Sequence, residues 1–365
     1  MSRRPLARVA VATTCSLALT GLAVGSPAQA APTQNQQRTA AAADWQAGQL
    51  TRGAIPASFP GFTDWGLTID TAFALTAAGG HAGDLNRITR KLERRYYAEY
   101  ATFDGDASAN AMAKTLTATA VLRANPKDFG GHNVRREVLR LVAGADAGRE
   151  AGRVRDTNHA EIDYSNTFGQ AFAVIGLSRS GKAPASTVTY LLRQQCKAGY
   201  FTVYPTVGKT CNRAKSPADV DATAMAVQAL VAAGKDGADV APRIRRAVRW
   251  LVSVQHRNGG FGGGKVTSAA NSNSTGLVSQ ALAAAKLTAP RKRATAYVAR
   301  MQLTRSVTGS GPARKDVGSI AYNKAAQKQA VASGISDTTR DQFRRATAQG
   351  VFAFTGKSLA TLRRP

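Results

Sequence analysis

Histidine and cysteine are scarce in this sequence. Its 365 residues include four histidines and three cysteines, and the histidines are scattered along the chain. Zinc sites and histidine-based catalytic triads both need such residues close together in the fold. The sequence therefore suggests no metal site and no cofactor, and no arrangement of serine, histidine and aspartate stands out.

The chain also lacks any long apolar segment after residue 30. Residues 1–30 have a basic start that includes Arg3 and Arg4, an apolar run from Val9 to Val24, and an Ala28–Gln29–Ala30 cleavage pattern. These features are typical of a secretory signal peptide. We therefore predict a cleaved signal peptide and a secreted or cell-wall-associated mature chain with no transmembrane segment.

Two cysteines, Cys196 and Cys211, remain after the predicted signal peptide. In an oxidising extracellular compartment, two cysteines most simply form a disulfide. A metal site is the alternative, but it would need further ligands at suitable spacing. We predict a Cys196–Cys211 disulfide.

Acidic residues are outnumbered by basic residues, 22 to 49, which gives a formal net charge of +27. Nucleic-acid-binding proteins often carry such a charge. Export argues against that partner, and so does the lack of aromatic residues interleaved with basic ones. The basic residues instead recur along predicted helices, as solvated faces. We also expect attraction to an anionic cell-wall polymer or an anionic lipid surface.

Strand patterns are nearly absent, and helical segments repeat through most of the chain. Residues 31–60 are rich in Ala, Gln and Thr, and they predict a flexible lead-in. From residue 61 onward an Ala-rich apolar segment recurs about every 50 residues. The anchor residues of these segments are Thr68, Thr115, Thr167, Thr223, Thr275 and Asn323.

Helices with one basic face lie between the Ala-rich segments. A helix that is apolar on all sides is normally buried, whereas an amphipathic helix lies at a surface. A linear solenoid also alternates two helices, but it does not explain why one of each pair is apolar all round. We predict an all-α (α/α)6 toroid of six hairpins over residues 61–365. In the sixth repeat, the segment at Asn323 is the predicted inner helix and residues 338–349 are the predicted outer helix.

Two predicted outer helices end in a shared pattern, in which Gly supplies a left-handed turn and Gln can bond free backbone groups. The two copies are Leu191-x3-Gln195-x3-Gly199-x-Phe201 and Leu251-x3-Gln255-x3-Gly259-x-Phe261. A degraded third copy includes Gln302. This ending resembles the repeat of squalene cyclases and protein prenyltransferases, whose fold is an α/α toroid of six helical hairpins. The resemblance covers about residues 61–365.

The stretch Asp219-Val220-Asp221-Ala222 resembles the Asp-x-Asp-Asp motif of class II terpenoid cyclases. The resemblance implies that Asp221, together with Asp219, protonates an alkene or epoxide in a dry cavity. Ala222 departs from the motif, because the family has a third Asp there. Aromatic residues make up only 7% of the chain, which is few for a cavity that stabilises carbocations.

A second interpretation of Asp221 is helix capping. Asp221, Asn273 and Ser165 each stand two residues before an anchor threonine, and all three residue types are favoured helix caps. One capping role would account for all three positions without catalysis, and the sequence leaves both interpretations open.

In a two-ring toroid the inner helices run parallel, so their N-termini gather at one end. The predicted ligand contacts at this end, besides Asp219 and Asp221, are Trp65, Asp70, Asp163, Tyr164, Asn271 and Asn273. Trp65 is either a lid over the opening or a plug packed against it. His159, Glu161 and Asp163 stand at alternating positions of one segment. They form either a cation site or part of a polar loop.

The first functional hypothesis is a non-catalytic protein that holds a small molecule or the end of a cell-envelope polymer at this opening. The alternative is a terpenoid-cyclase-like enzyme that uses Asp219 and Asp221. A second alternative is a cobalamin-carrier-like protein, because the Ala-rich inner helices resemble the repeats of that secreted group. Those carriers have an added β-domain that this sequence does not show.

Overall fold

The computed structural model describes Met1 and residues 31–158, 162–205, 208, 211, 217–234 and 240–365. Residues Gln34–Pro365 form one compact unit, and Met1–Thr33 are a separate unit. Most of the predicted signal peptide lies outside the described residues. Within the described ranges, no helix combines the length and the apolar composition that a membrane crossing requires.

The regular secondary structure of the described part of the compact unit is helical, apart from a short hairpin of β1 (Thr102–Phe103) and β2 (Asp106–Ala107). The described α-helices, in chain order, are α1 (Gln34–Ala47), α2 (Trp65–Ala78), α3 (Ala82–Tyr96), α4 (Ala109–Leu122), α5 (Val134–Arg140), α6 (Thr167–Arg179), α7 (Ala185–Arg193), α8 (Val220–Ala233), α9 (Ala241–Ser253), α10 (Ser272–Ala284), α11 (Thr288–Met301), α12 (Arg305–Thr308), α13 (Lys324–Ser333), α14 (Asp337–Gly350) and α15 (Phe352–Thr355).

Six helices form a closed inner ring. In ring order they are α2, α4, α6, α8, α10 and α14, and α14 packs against α2 again. Helix α14 buries five of its fourteen residues, but the other five inner helices are mostly buried, and in α8 twelve of fourteen residues are buried. Their many alanines allow close backbone approach, so six helices fit around one narrow axis.

The outer ring consists of amphipathic helices that each precede an inner partner. The outer helices are α1, α3, α5, α7, α9 and α11. Helix α9 is typical, because Ala247, Val248 and Leu251 are buried while Arg245 and Arg249 are exposed. The predicted two-ring, all-α toroid is confirmed.

A Gly-x-apolar step joins the outer to the inner helix in most hairpins. The steps are Gly53-x-Ile55, Gly152-x-Val154, Gly199-x-Phe201, Gly259-x-Phe261 and Gly318-x-Ile320. Each of these glycines has a positive φ and packs against a backbone carbonyl of an outer helix, where a Cβ would collide. Only glycine meets both conditions without strain.

The apolar residue of each step is tied to the inner helix by a hydrogen bond. Its backbone N–H donates to a side-chain oxygen at 2.9 Å. The accepting residues are Thr68, Gln170, Thr223, Thr275 and Thr347. These contacts fix the register of the repeat in five hairpins, so the predicted anchors Thr167 and Asn323 are wrong and are replaced by Gln170 and Thr347. None of the five contacts tests the predicted anchor Thr115.

Glutamines at the ends of outer helices tie each hairpin to the next. Gln195 Nε2 donates to Arg243 O at the start of α9, and Gln255 Nε2 donates to Pro290 O at the start of α11. Gln302 Nε2 donates to Arg38 O in α1. Helix α1 therefore takes the sixth place of the outer ring.

The predicted flexible lead-in at residues 31–60 is wrong. Residues 34–47 form α1, and Ala42, Ala43 and Ile55 are fully or almost fully buried. The Ala- and Gln-rich composition resembles that of a linker. The alanines nevertheless form an apolar face that covers α2, and Gln46 Nε2 donates to Thr71 Oγ1 at 2.7 Å.

The predicted sixth hairpin is also wrong, because α14 rather than α13 is the inner helix. Only Gln327 and Ala330 of α13 are buried, and α13 lies between the last outer helix and α14. In α14 the buried face includes Phe343 and Thr347. Helix α14 also carries Arg345, which forms ion pairs with Asp64 and Asp341.

A disulfide joins Cys196 to Cys211, with a Cα–Cα distance of 4.6 Å. It links the end of α7 to the segment that leads into α8. The predicted pairing is confirmed.

Candidate functional site at the mouth of the toroid

The N-termini of the inner helices gather at one end of the ring, which we call the mouth. Ser274 Oγ in α10 donates to Asp221 Oδ2 in α8 at 3.1 Å. Arg345 in α14 forms an ion pair with Asp64, the N-cap residue of α2. The Ser274–Asp221 contact joins the first turns of α10 and α8, and Asn166 N at the start of α6 donates to Asn110 Oδ1 in the first turn of α4, so these neighbouring helices run parallel. Arg345 lies in the second half of α14, so the first two turns of α14 precede this contact.

A cavity of about 100 Å³ lies on the toroid axis. All six inner helices line it, with Phe73, Lys114, Phe172, Met225, Gln280 and Gln349 contributing one side chain each. Small-molecule sites typically measure about 300–1,000 Å³. The described cavity therefore has room for the end group of a larger ligand or for a very small ligand.

An ion pair lies on the wall of the axial cavity. Lys114 Nζ in α4 lies 2.7 Å from Asp70 Oδ1 in α2, donates to Gly66 O at 3.0 Å, and is 5.6 Å from the centre of the Phe172 ring. The predicted ligand residue Asp70 does line the cavity, and its charge is balanced by Lys114.

Asp219 is the N-cap of α8. Its Oδ1 accepts a hydrogen bond from Ala222 N at 2.7 Å, and the residue is buried. Burial raises the pKa of Asp219, and the hydrogen bonds from the backbone N–H groups of Ala222 and Asp221 oppose the shift. Asp219 stabilises the helix start whether or not it contacts a ligand.

The predicted capping register is wrong by one or two residues. The caps are Asp219, Asn271 and Asn166, whose side chains accept backbone N–H groups of their own helices. Asp221 and Asn273 lie inside the first turn, and Ser165 lies before the Asn166 cap. A cap side chain must sit at the helix boundary to reach the free N–H groups, which inner positions cannot do.

Asp221 is therefore free of the capping role. Its Oδ2 accepts from Ser274, while its Oδ1 is inaccessible to solvent and has no hydrogen-bond partner within the described ranges. Burial is the main cause that raises the pKa of Asp221 to about 7, and the nearby Asp219 charge adds to it, while the Ser274 hydrogen bond opposes it. Asp221 can consequently exchange a proton near neutral pH.

A glycine-rich loop covers the two aspartates. A Cβ at Gly264 would lie 2.5 Å from Asp219 Oδ2, and one at Gly263 would lie 3.0 Å from Asp221 Oδ2. Gly263 N also donates to Thr267 O at 2.8 Å, which closes the loop on itself. The glycines allow the backbone of this loop to approach the two carboxylates closely.

Besides Asp341 Oδ1, whose carboxylate forms an ion pair with Arg345, four buried side-chain oxygens on α8, α10 and α14 lack a hydrogen-bond partner among the described residues. They are Asp221 Oδ1, Asn273 Oδ1, Gln280 Oε1 and Gln349 Oε1. Gln280 and Gln349 line the axial cavity. Asp221 and Asn273 lie one helical turn towards the mouth from the cavity-lining residues Met225 and Leu277.

The remaining predicted ligand residues do not line the axial cavity. Trp65 is buried in the hydrophobic core, as a plug would be. Asp163 Oδ2 pairs with Arg153 at 2.8 Å, and Tyr164 is exposed beside it on the surface. His159 and Glu161 lie outside the described residues. Asn271 serves as a cap.

Sequence reasoning missed Lys114, Gln280, Gln349 and Arg345 as residues of this region. Gln280 is a polar position inside an apolar Ala-rich segment, which is a signal that the sequence does contain. Gln349 lies in a segment rich in charged and polar residues, which gives no such signal. Within the described residues, no group of three or more His, Cys, Asp and Glu side chains is placed to hold a metal ion.

The two rings and the axial cavity define an (α/α)6 toroid protein. The family model for the prenyltransferase alpha-alpha toroid domain matches residues 75–265 and again 158–327. The chain belongs to this family. No curated protein matches the sequence.

Solved structures share the fold at low sequence identity. The type II terpene cyclase MstE from Scytonema, in complex with geranylgeranyl dihydroxybenzoate, aligns with a TM-score of 0.58 and 14% identity, over 88% of this chain and 96% of the cyclase. A protein from Actinoplanes aligns with a TM-score of 0.57 and 14% identity, over 90% and 100%. Unsaturated glucuronyl hydrolase from Bacillus sp. GL1 aligns with a TM-score of 0.58 and 9% identity, over 88% and 96%. These similarities show the fold alone.

Proposed function

We propose that the toroid binds a small polar molecule, or the polar end of a larger one, at the axial site formed by Asp221, Asn273, Gln280 and Gln349. The observation that carries this proposal is the set of four buried oxygens without partners. Leaving such an acceptor unsatisfied costs about 1–3 kcal/mol. Four of them on three adjacent helices favour a ligand that donates several hydrogen bonds, such as a polyol, a sugar or an ammonium group.

The cavity volume supports a binding role for a compact group. A long isoprenoid chain or a corrinoid needs far more than the roughly 100 Å³ on the axis. The polar wall at Lys114 and Asp70 also differs from the dry, apolar lining that carbocation chemistry requires. The proposal therefore favours a binding protein over a cyclase.

A second candidate function is acid catalysis by Asp221. It is favoured by the pKa of about 7, which would leave this carboxyl partly protonated at neutral pH. Asp221→Asn distinguishes the two candidates. In a binding protein the variant retains ligand, because the amide oxygen still accepts a hydrogen bond, whereas an acid catalyst loses turnover with its fold intact.

The binding proposal is tested with Gln280→Leu and Gln349→Leu. If the two amides serve a ligand, each variant loses the ligand while its free energy of unfolding stays equal or rises, because an unsatisfied buried group is removed. Gln46→Leu is the matched control, because Gln46 Oε1 is also buried without a partner but lies on α1, outside the axial cavity.

Binding is measured by native mass spectrometry of protein purified from its natural host, followed by titration with glycerol, glucose and N-acetylglucosamine as probes. The proposal is supported if the parent and Gln46→Leu bind the ligand and both cavity variants, Gln280→Leu and Gln349→Leu, do not. Equal binding in all four proteins, or no binding at all by the parent, contradicts it.

We also propose that the mature chain is exported and begins near Ala31, on the strength of the signal-peptide pattern in residues 1–30. N-terminal sequencing of the protein recovered from culture medium and from the cell wall tests this. A chain found only inside cells with Met1 intact contradicts export.

A further inference from the structure

Another cavity lies at the end of the toroid away from the mouth. It measures about 820 Å³ and lies at the C-terminal ends of α4, α6 and α8, beside residues 360–363. This volume is within the range of small-molecule sites, about 300–1,000 Å³. None of the described residues that line it is acidic, and four are basic: Arg123, Lys127, Arg179 and Arg363. We call this cavity the basic cleft.

The last residues of the chain separate the basic cleft from the axial cavity. Gln228 Oε1 in α8 accepts hydrogen bonds from Ser358 Oγ at 2.9 Å and from Leu359 N at 3.0 Å. Leu359 lines the axial cavity, whereas Ala360 and Thr361 line the basic cleft. The basic cleft is therefore a site of its own, distinct from the axial site.

The segments around the basic cleft carry an excess of positive charge. Residues 123–133, 178–184 and 356–365 together hold seven Lys and Arg residues and a single acidic residue, Asp128, which is exposed and does not line the cleft. Exposed basic residues are common in a chain of net charge +27, but here four of them converge on one concave surface. Such a surface concentrates anions.

Arg179 is the most shielded of the four basic side chains. Its Nη1 donates to Leu359 O at 2.8 Å, and its Nη2 donates to Ala120 O and Leu362 O. Burial is the main cause that lowers the pKa of Arg179 to about 10, and the neighbouring Arg363 charge lowers it further. Two of its five N–H groups remain without a partner among the described residues.

Basic residues at helix C-termini can also serve to neutralise the helix ends. Each end carries roughly half a negative charge, so three helices account for about one and a half unit charges. Arg179 has this role, because it donates to backbone carbonyls. The side chains of Arg123, Lys127 and Arg363 are exposed, and they form no hydrogen bond or ion pair with the part of the chain that the structure describes. Helix capping therefore leaves most of the positive charge unexplained.

We propose that the basic cleft binds a phosphate-bearing ligand with at least two negative charges. Guanidinium groups bind phosphate oxygens through paired N–H donors, and an ammonium group adds a point charge. Three arginines and one lysine around one cleft match several phosphate oxygens. The bound anion also offsets the repulsion between Arg179 and Arg363. This binding does not depend on which ligand the axial site takes.

Isothermal titration calorimetry at near-physiological salt tests the proposal. The probes are inorganic pyrophosphate and citrate, which carry similar charge at neutral pH. The test variant combines Arg123→Gln with Arg363→Gln, and Lys127→Gln is a second, milder variant. The control variant combines Arg245→Gln with Arg249→Gln, which removes the same charge from the exposed face of α9. Thermal unfolding without ligand verifies that each variant folds.

We expect the parent and the control to bind pyrophosphate within about twofold of each other, because remote exposed charges are screened by salt. The test variant should bind at least about tenfold more weakly, and Lys127→Gln should show a smaller loss. Equal losses in the test and control variants, or no binding of pyrophosphate by the parent, overturn the proposal. Citrate that binds as tightly as pyrophosphate overturns the assignment to phosphate.

The phosphate groups could belong to a free compound or to a polymer, and a further titration distinguishes these sources. The parent and the test variant are titrated with a polymer of glycerol phosphate units at the same phosphate concentration as pyrophosphate. Tighter binding of the polymer, lost in the test variant, supports the cleft and assigns the polymer as the source. Tighter binding of pyrophosphate, lost in the same variant, supports the cleft and assigns a free compound. Polymer and pyrophosphate binding that are both unchanged in the test variant overturn the proposal.

Discussion

Lys114 Nζ and Asp70 Oδ1 form a 2.7 Å ion pair between α4 and α2 on the wall of the axial cavity. Both side chains are largely shielded from water, so each charge depends on the other. Removing one partner of such a pair leaves an uncompensated charge in a poorly solvated place. This pair therefore determines both the stability and the polarity of the candidate site.

The first prediction concerns this pair. Lys114→Met should lower the free energy of unfolding by about 2–3 kcal/mol, and the double variant with Asp70→Asn should recover at least half of the loss. Urea unfolding measures both values. Arg87→Met is the control, because Arg87 pairs with Asp84 on an exposed helix surface, where the loss should stay below about 1 kcal/mol. Equal losses for Lys114→Met and Arg87→Met would contradict the buried role.

The second prediction tests the register of the sixth hairpin. Thr347→Val removes the hydroxyl that accepts from Ile320 N, and it should cost about 1–3 kcal/mol because a buried N–H is left unsatisfied. Thr115→Val is the control, since Thr115 Oγ1 donates only within its own helix, to Ala111 O. If thermal unfolding shows the larger loss for Thr115→Val, the assignment of α14 to the inner ring is contradicted.

The third prediction separates the two aspartates. Asp219→Ala removes the N-cap of α8 and should cost about 1 kcal/mol, whereas Asp219→Asn should cost less because the amide oxygen still caps the helix. Asp221→Ala should leave the cap intact. Denaturant midpoints of the three variants check this order. A larger loss of stability for Asp221→Ala than for Asp219→Ala would show that Asp221, rather than Asp219, caps the helix.

The fourth prediction concerns pH. The pKa of Asp221 is raised from 3.8 to about 7 in the folded chain. The folded state therefore binds a proton that the unfolded state has lost between about pH 4 and pH 7. This contribution to stability is complete below pH 4 and is lost as the pH rises towards 7.

Asp221→Asn lacks this titration, so its stability relative to the parent should rise by about 2–4 kcal/mol between pH 4 and pH 7.5. Urea unfolding of both proteins across this range measures the difference, and the other carboxyl groups cancel in the comparison. A difference that stays constant with pH would show that the pKa of Asp221 is not raised.

The fifth prediction addresses the loop over the aspartates. Gly264→Ala places a methyl group against Asp219 Oδ2, so the loop must move away, and binding or turnover at the axial site should change. Gly83→Ala is the matched control, because a Cβ at Gly83, in the first turn of α3, would make only an ordinary 3.7 Å contact with Arg87 Nη1, and the stability should rise by at most about 0.5–1 kcal/mol. Ligand retention identical to that of the parent in Gly264→Ala would mean that the loop does not shape the site.

Much of the fold could be predicted because its signals are local. The Ala-rich segments and the basic amphipathic helices follow one helical period, and burial of the former follows directly from their composition. The Gly199-x-Phe201 and Gly259-x-Phe261 steps are visible in the sequence, because glycine alone tolerates the positive φ and the close carbonyl contact.

The site was harder to predict, since it depends on helix register around a ring. Asp219 and Asp221 are both visible in the sequence, but their roles differ through a two-residue shift that only the helix boundary fixes. Gln280 and Gln349 come from separate helices, and nothing local shows that both face one cavity.

The sequence by itself determined the all-helical toroid, the alternation of buried and basic helices and the pairing of Cys196 with Cys211. Only the tertiary structure decided that α1 and α14 complete the two rings, and that Asp221 is a buried carboxyl without a capping role. The physical reason is ring closure. Which helix fills the last place depends on contacts between distant parts of the chain, such as Arg345 with Asp64 and Gln302 with Arg38.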